Sequence, residues 1–244
     1  MERHRLLAVL LVLTIAGAFI LTYTGCVEPS TTIKKLGLFY IENSYYGNYS
    51  SMSPESVTAI VWDYRGLDTV YETAVFFLAI VGGLAVFRGL KPLRPGRGEG
   101  LTGIARTSTK IVSVMIIGAS ASIALHGHLT PGGGFQGGST LGVAFLLLIP
   151  VYSVYAVLSK GVTSEKLIAV RGLALASIGI VALLPVFKGL ELASNTRFYP
   201  SHVAGMLISG SLFLYNFFEY IAVAAGFAAV FLYLSLIEEG EGSE

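Results

Sequence analysis

The stretch H126-G-H-L-T-P-G-G-G-F-Q-G-G138 places two histidines and a proline ahead of a glycine run, with apolar segments on both sides. Its reading decides the fold. Gly132, Gly134 and Gly137 fit G-x-G-x-x-G literally, which in an α/β protein marks a dinucleotide-binding turn. That turn needs a strand before it, a helix after it and an acid about 20 residues on. Here a helix-length apolar segment precedes the glycines, and no acid follows until Glu165. There is no G-K-[ST] either, so a phosphate-binding P-loop fails as well. The alternative is a turn between two membrane helices, which makes the chain all-α.

Composition favours the membrane. Of 244 residues, 54% are hydrophobic and only 13% charged, with a mean hydropathy of +0.72. Soluble domains carry about 25% charged residues. A net charge of +1 leaves no footprint for nucleic acid. Cys26 is the sole cysteine, which excludes an internal disulfide framework, a cysteine zinc cluster and an iron–sulfur ligand pattern. No redox centre and no cofactor are expected.

A spanning helix needs about 20 apolar residues. Six segments qualify: Leu6–Tyr23, Thr69–Phe87, Ile111–Gly127, Phe135–Leu158, Val170–Phe187 and Ser211–Ile237. The first, with basic Met1–Arg5 before it and Cys26 after it, could also be a secretory or lipoprotein signal. It is longer than the usual h-region of about 7–15 residues, and Tyr23 suits lipidation of Cys26 poorly, so a retained helix is expected. The tyrosine-rich stretch Cys26–Pro54 reads as an ordered interfacial loop. Ser53, Pro54 and Glu55 read as an N-cap, a first-turn proline and a favourable acid, starting a short helix.

Basic residues set the orientation. With the N-terminus inside, the inner segments hold Arg3, Arg5, Arg88, Lys91, Arg94, Arg97, Arg106, Lys110, Lys160, Lys166 and Arg171. The outer segments hold Lys34, Lys35, Arg65, Lys188 and Arg197. Both termini are therefore expected on the cytoplasmic side of a multi-pass cell-membrane protein. The division is a two-helix unit (1–90), a basic Gly/Pro-rich linker (91–108), a four-helix unit (109–237) and an acidic tail (238–244).

On this topology the opening stretch is an outer turn. Pro131 should end helix three, and Gly132, Gly133 and Gly134 are free to take positive φ. Gly137, Gly138 and Gly142 let another helix approach closely. His126 and His128 are two apart, share no helical face and have no carboxylate or cysteine nearby, so no metal site is expected. They read as interfacial histidines bonded to loop backbone, with proton handling by His128 as the functional alternative.

Acids inside the membrane carry the remaining signal. Thr73–Phe87 gives 15 uncharged residues between Glu72 and Arg88, about 22 Å of helix against a hydrocarbon core near 30 Å. Glu72 thus sits near the boundary, on one face with Asp68, while Arg65 is placed to pair with Asp68. The bland alternative is a solvated helix end. Glu219 is the only formal charge between Arg197 and Glu238 and lies well inside the last helix. It must face protein or water, paired or protonated, and Asn216 is placed to share its site. Lys188 reads as a snorkelling structural residue, and Pro150 and Pro185 as kinks.

The sequence H126…G138 resembles the signature of the MrpB component of the multisubunit Mrp-type sodium/proton antiporters. S209-G-S-L-F-L-Y-N-F-F-E219 resembles the start of that family's last helix, with Gly210–Ser211 where a Gly-Thr pair is common. The likeness covers about residues 100–237. V57-T-A-I-V-W-D-Y-R-G-L-D-T-V-Y-E72 resembles the C-terminal segment of the MrpA component, D-x-R-G-x-D-T-x-G-E. Asp63, Arg65, Gly66, Asp68, Thr69 and Glu72 match, and Tyr71 replaces the glycine. Similar pieces occur as separate small proteins in archaeal membrane-bound hydrogenases and sulfur-reducing complexes.

The resemblance implies a non-catalytic membrane subunit that couples sodium/proton translocation to a complex I-related respiratory complex. Its partners would be other Mrp-like membrane subunits, hydrogenase or sulfur-reductase core subunits, sodium ions, protons and membrane lipid. The ion path would run by Asp68, Glu72, His128 and Glu219. The competing readings are a purely structural brace in a stand-alone antiporter and a self-sufficient small transporter.

Overall fold

The computed structural model describes residues 2–26, 32–86 and 100–236. The chain divides into two compact units, Met1–Phe39 and Tyr40–Glu244. Among the described residues six helices are long and apolar enough to cross a membrane.

The first unit is dominated by α1 (Glu2–Cys26), which extends the expected Leu6–Tyr23 at both ends. Its central residues are apolar on every side and exposed, the pattern of a helix whose solvent is lipid. The Thr14, Thr22 and Thr24 hydroxyls donate to the carbonyls of Leu10, Ala18 and Ile20 at 2.7, 2.8 and 2.9 Å. These three donors are thereby satisfied within the helix, as hydrocarbon requires. α2 (Lys35–Asn43) follows.

In the second unit a short helix does start where expected, but its cap is Glu55. α3 (Ser56–Ala59) has the Glu55 side chain accepting from the Thr58 N–H. Ser53 is drawn elsewhere: it is fully buried, and its hydroxyl donates to the His128 carbonyl at 2.7 Å. A π-helical turn (Ile60–Tyr64) leads into α4 (Gly66–Val86). Such wide turns cluster at functional sites, and this one carries Trp62 and Asp63.

α5 (Gly103–Leu125) begins about two turns before the expected Ile111, because Thr102 caps it by accepting from the Ala105 N–H. It also ends early, at Leu125 rather than beside Pro131. The His126 ring and N–H both turn back to the Ser122 carbonyl. A Cβ on Gly127 would lie 2.7 Å from the Gly133 Cα. The chain therefore folds onto itself before the proline is reached.

α6 (Gly134–Tyr152) contains Pro150 and stops at Ser153, whose φ of 79° breaks the expected run to Leu158. α7 (Val154–Ser159) continues separately. α8 (Ser164–Leu183) starts almost two turns before the expected Val170, because Thr163 caps the Lys166 N–H. A 3-10 helix (Leu184–Lys188) opens around Pro185, where a proline costs no hydrogen bond. A two-residue antiparallel pair, β1 (His202–Val203) and β2 (Met206–Leu207), precedes α9 (Ser211–Leu234).

α9 is the axis of this unit, packed against α6 and α8 along its length and touching α4 and α5. Its buried residues include Ala222, Ala224, Ala225, Gly226, Ala228 and Ala229. Small residues of this kind let membrane helices approach closely, where apolar burial alone gives no preference over lipid. Most of the expected basic linker, through residue 99, and the acidic tail 238–244 lie outside the described residues.

Candidate functional site

The glycine turn delivers the start of α6 to two polar side chains of α9. Gly133 has φ 148° and ψ 176°, a conformation confined almost entirely to glycine. Among Gly132–Gly134 it alone has positive φ; its neighbours are needed for closeness instead. The Gly134 N–H donates to Asn216 Oδ1 at 3.1 Å, and the Phe135 N–H donates to Glu219 Oε2 at 3.1 Å. A Cβ on Gly134 would lie 2.6 Å from the Glu219 Cβ. The first N–H groups of a helix have no partner within it and carry about half a positive charge. Glu219, only 7% exposed, spends its carboxylate on one of them.

The other glycines of the motif serve packing. A Cβ on Gly137 would lie 2.6 Å from the Ser120 carbonyl oxygen of α5, and one on Gly138 2.7 Å from the Val223 Cβ of α9. Trp62 of the π-helical turn stacks on Tyr215 with centroids 4.5 Å apart and planes 9° from parallel.

Beside Glu219 lies a cavity of about 420 Å³. Glu72 of α4, Arg171 of α8 and Glu219 of α9 are its three charged lining residues, joined by Asn216, Gln136 and Trp62. The structure thus brings two of the four expected ion-path residues to one space. Asp68 is not among them: it pairs with Arg65 at 2.7 Å, and both side chains are 63% exposed. Exposed pairs of this kind add little stability.

His128 is also elsewhere. It is buried, edge-on to Phe213, with Nε2 3.0 Å from the Leu207 carbonyl. A carbonyl only accepts, so Nε2 carries the proton and Nδ1, which has no partner, is bare. Burial pushes the His128 imidazole below its ordinary 6.5; the Leu207 bond opposes this and the nearby His126 adds to it. His126 bonds to the Ser122 carbonyl. No group of three metal-ligating side chains occurs among the described residues.

Two participants were not singled out in the sequence. Arg171, counted there as an inner-segment charge, is 1% exposed inside the bundle. Its Nη1 donates to the Ala222 carbonyl at 2.8 Å, and its guanidinium lies 4.7 Å over the Phe76 ring and 5.6 Å from the Phe77 ring. Asn195, 4% exposed, ties the loops together. Its Oδ1 accepts from the Ser211 N–H at 2.8 Å, and its Nδ2 faces Asp63 Oδ2 at 3.2 Å. Asp63 is raised above 3.8 by burial, opposed by the bond from Asn195.

Residues 104–229, just over half of the chain, match the family model described as a domain related to the MnhB subunit of Na+/H+ antiporter. The chain belongs to the MnhB-related family. It is accordingly a multi-pass membrane protein of an antiporter-subunit family. A Staphylococcus haemolyticus protein named for antiporter subunit mnhB2 is 30% identical over 96 residues, covering 39% of this chain and 67% of that one. An uncharacterized Methanocaldococcus jannaschii protein is 29% identical over 167 residues. That match covers 61% of this chain, which spans 60% of the relative's length.

Among solved structures, a chain of the membrane-bound sulfane sulfur reductase, an archaeal respiratory membrane complex, superposes with a TM-score of 0.75 at 28% identity. It covers 98% of this MnhB-related chain and 100% of its own. A chain of the Mrp complex from Dietzia sp. DQ12-45-1b gives a TM-score of 0.75 at 16% identity, over 100% of this chain and 27% of that one. That second likeness carries the fold alone.

Proposed function

We propose that the chain is a non-catalytic subunit of an Mrp-type cation/proton antiporter module that couples sodium/proton translocation to a complex I-related archaeal respiratory complex. The sulfur-reductase type is favoured over the hydrogenase type by the end-to-end likeness to a chain of the sulfane sulfur reductase. Its partners are other Mrp-like membrane subunits, and both termini face the cytoplasm. The N-terminal part through α4 corresponds to the MrpA-like unit and the rest to the MrpB-like unit.

One observation carries the reading. Glu219, a buried acid in the middle of a spanning helix, is held on a helix N-terminus and lines a cavity that it shares with Glu72. Ionisable groups at that depth are costly and mark ion pathways. A cation drawn into the cavity would meet both carboxylates. The bracing alternative draws on the glycine contacts, which join α5, α6 and α9 with no ion involved.

Replacing Glu219 by Gln and measuring sodium-dependent proton flux in the intact complex separates the two. Loss of flux with normal assembly supports the ion path; unchanged flux leaves only the brace.

A further inference from the structure

We propose that Arg171 is a resident cation that holds the cavity at one net negative charge, so that it accepts a single monovalent cation at a time. This inference rests on the ion-path reading of Glu72 and Glu219.

The placement carries it. α4 contributes Glu72 with Thr69 and Thr73, α8 contributes Arg171, and α9 contributes Glu219 with Asn216; α6 offers only Gln136 and backbone N–H groups, the π-helical turn Trp62, and α3 Thr58. Two carboxylates and one guanidinium leave one formal negative charge. Arg171 grips the Ala222 carbonyl, and its Nη1 fills the space a Cβ of Gly226 would need, seven residues and about 10.5 Å along α9 from Glu219 at the helical rise per residue. It shares the cavity with Glu219 without touching it. Yet Arg65–Asp68 is the sole ion pair within 4.0 Å among the described residues. Arg171 is held back from both carboxylates by the Phe76 face and the Ala222 bond, and they stay open to a mobile cation.

Residue type and surroundings fit a fixed charge. A guanidinium stays protonated under all ordinary conditions. It is weakly hydrated and stacks on aromatic faces, which lysine does less well. Space for it is built into α9: a Cβ at Gly226 would overlap Arg171 Nη1. Its Nε has no protein partner and belongs to a residue that lines the cavity, where water fits.

A transport site must bind well enough to fill and weakly enough to empty. Two unopposed carboxylates would retain a cation; the guanidinium offsets one of them. The test uses the intact complex reconstituted into lipid vesicles, with proton flux measured against sodium concentration. Arg171→Met should lower the KM for sodium by about tenfold and also lower the maximal flux, because release becomes slow. Arg171→Lys should return both values towards those of the unaltered protein. An unchanged sodium KM in assembled Arg171→Met complex overturns the proposal.

Should Arg171→Met fail to assemble, the double variant Arg171→Met/Glu219→Gln decides. Its assembly, with that of Arg171→Lys, supports a charge balance; failure of all three shows that only the shape of the guanidinium matters and overturns it. The underlying reading fails separately: Glu219→Gln with normal flux removes the ion path, whereas Glu219→Gln without flux beside Arg171→Met with normal KM removes the Arg171 inference alone.

Discussion

Glu219 of α9 accepts a hydrogen bond from the backbone N–H of Phe135 at 3.1 Å, so the acid in the middle of one spanning helix caps the start of another. This single bond explains why the glycine motif and the buried acid occur together. The turn must be bare of side chains for the helix start to reach the carboxylate, and the carboxylate needs that donor in a place without bulk water. Replacing Glu219 by Ala should leave the N–H unpaired and cost about 1–3 kcal/mol. Gln keeps an acceptor oxygen and should cost less. Thermal unfolding of the two variants in mild detergent checks the order; equal losses would show that the bond is not what holds α6 to α9.

The glycines divide into those that cannot take a methyl group and those that can. Gly134 and Gly138 would each place a Cβ within 2.7 Å of α9 atoms, whereas Gly118 has nothing within 4 Å. Ala at either of the first two should destabilise by about 1–3 kcal/mol through overpacking. Gly118→Ala should be neutral or stabilising by up to about 1 kcal/mol, since alanine is the better helix former. The three melting temperatures, taken in the same detergent, give the comparison; a loss at Gly118 matching that at Gly134 would contradict it.

The six helices were legible because a run of about 20 apolar residues has few other uses. Glu219 was legible for the same reason, as a lone charge in such a run. Helix ends were less so. Thr102 and Thr163 start α5 and α8 with caps that lie among polar and basic residues, so the apolar pattern began too late. That late start placed Arg171 at the very edge of the expected Val170–Phe187, as an inner-end charge, whereas it lies about two turns inside α8. Its surroundings are also non-local: Phe76 lies on α4 and Gly226 on α9, and no spacing in the sequence links them. Asn195 was invisible for the same cause, its partners being Ser51, Asp63 and Ser211. Asp68 and His128 drew attention by residue type, yet only their neighbours could show that they lie apart from the cavity.

His128 predicts an acid-sensitive loop end. An imidazole pushed below 6.5 by burial favours the folded state while it is neutral. That contribution is fully present above pH 6.5 and is lost as the pH falls through the lowered value. Protonation would put a buried charge beside the Phe213 ring edge and the Leu207 carbonyl. Amide exchange in His202–Leu207, corrected for intrinsic chemistry, should therefore speed up as the pH drops from 7.5 to 5. The effect should vanish in His128→Gln. Exchange that is equally pH-dependent in that variant would point to His126 or His202 instead.

Asp63 predicts the opposite slope. An acid raised above 3.8 by burial favours the folded state while protonated. Its contribution is present below pH 3.8 and is lost as the pH rises through the raised value. At pH 7.5 an ionised Asp63 is therefore a burden, eased by the donor from Asn195. Asp63→Asn keeps an oxygen for the Asn195 amide and removes the charge, so it should raise the melting temperature at pH 7.5, with the gain shrinking towards pH 4. Asn195→Ala should do the reverse at every pH. It strips the acceptor from the Ser211 N–H and hydroxyl and removes a donor from Asp63, costing about 1–3 kcal/mol. Combining the two changes tests their coupling. If Asp63 is costly chiefly because it is a charge with few donors, Asp63→Asn should recover more stability in the Asn195→Ala background than alone; simple additivity would show that the two residues act independently.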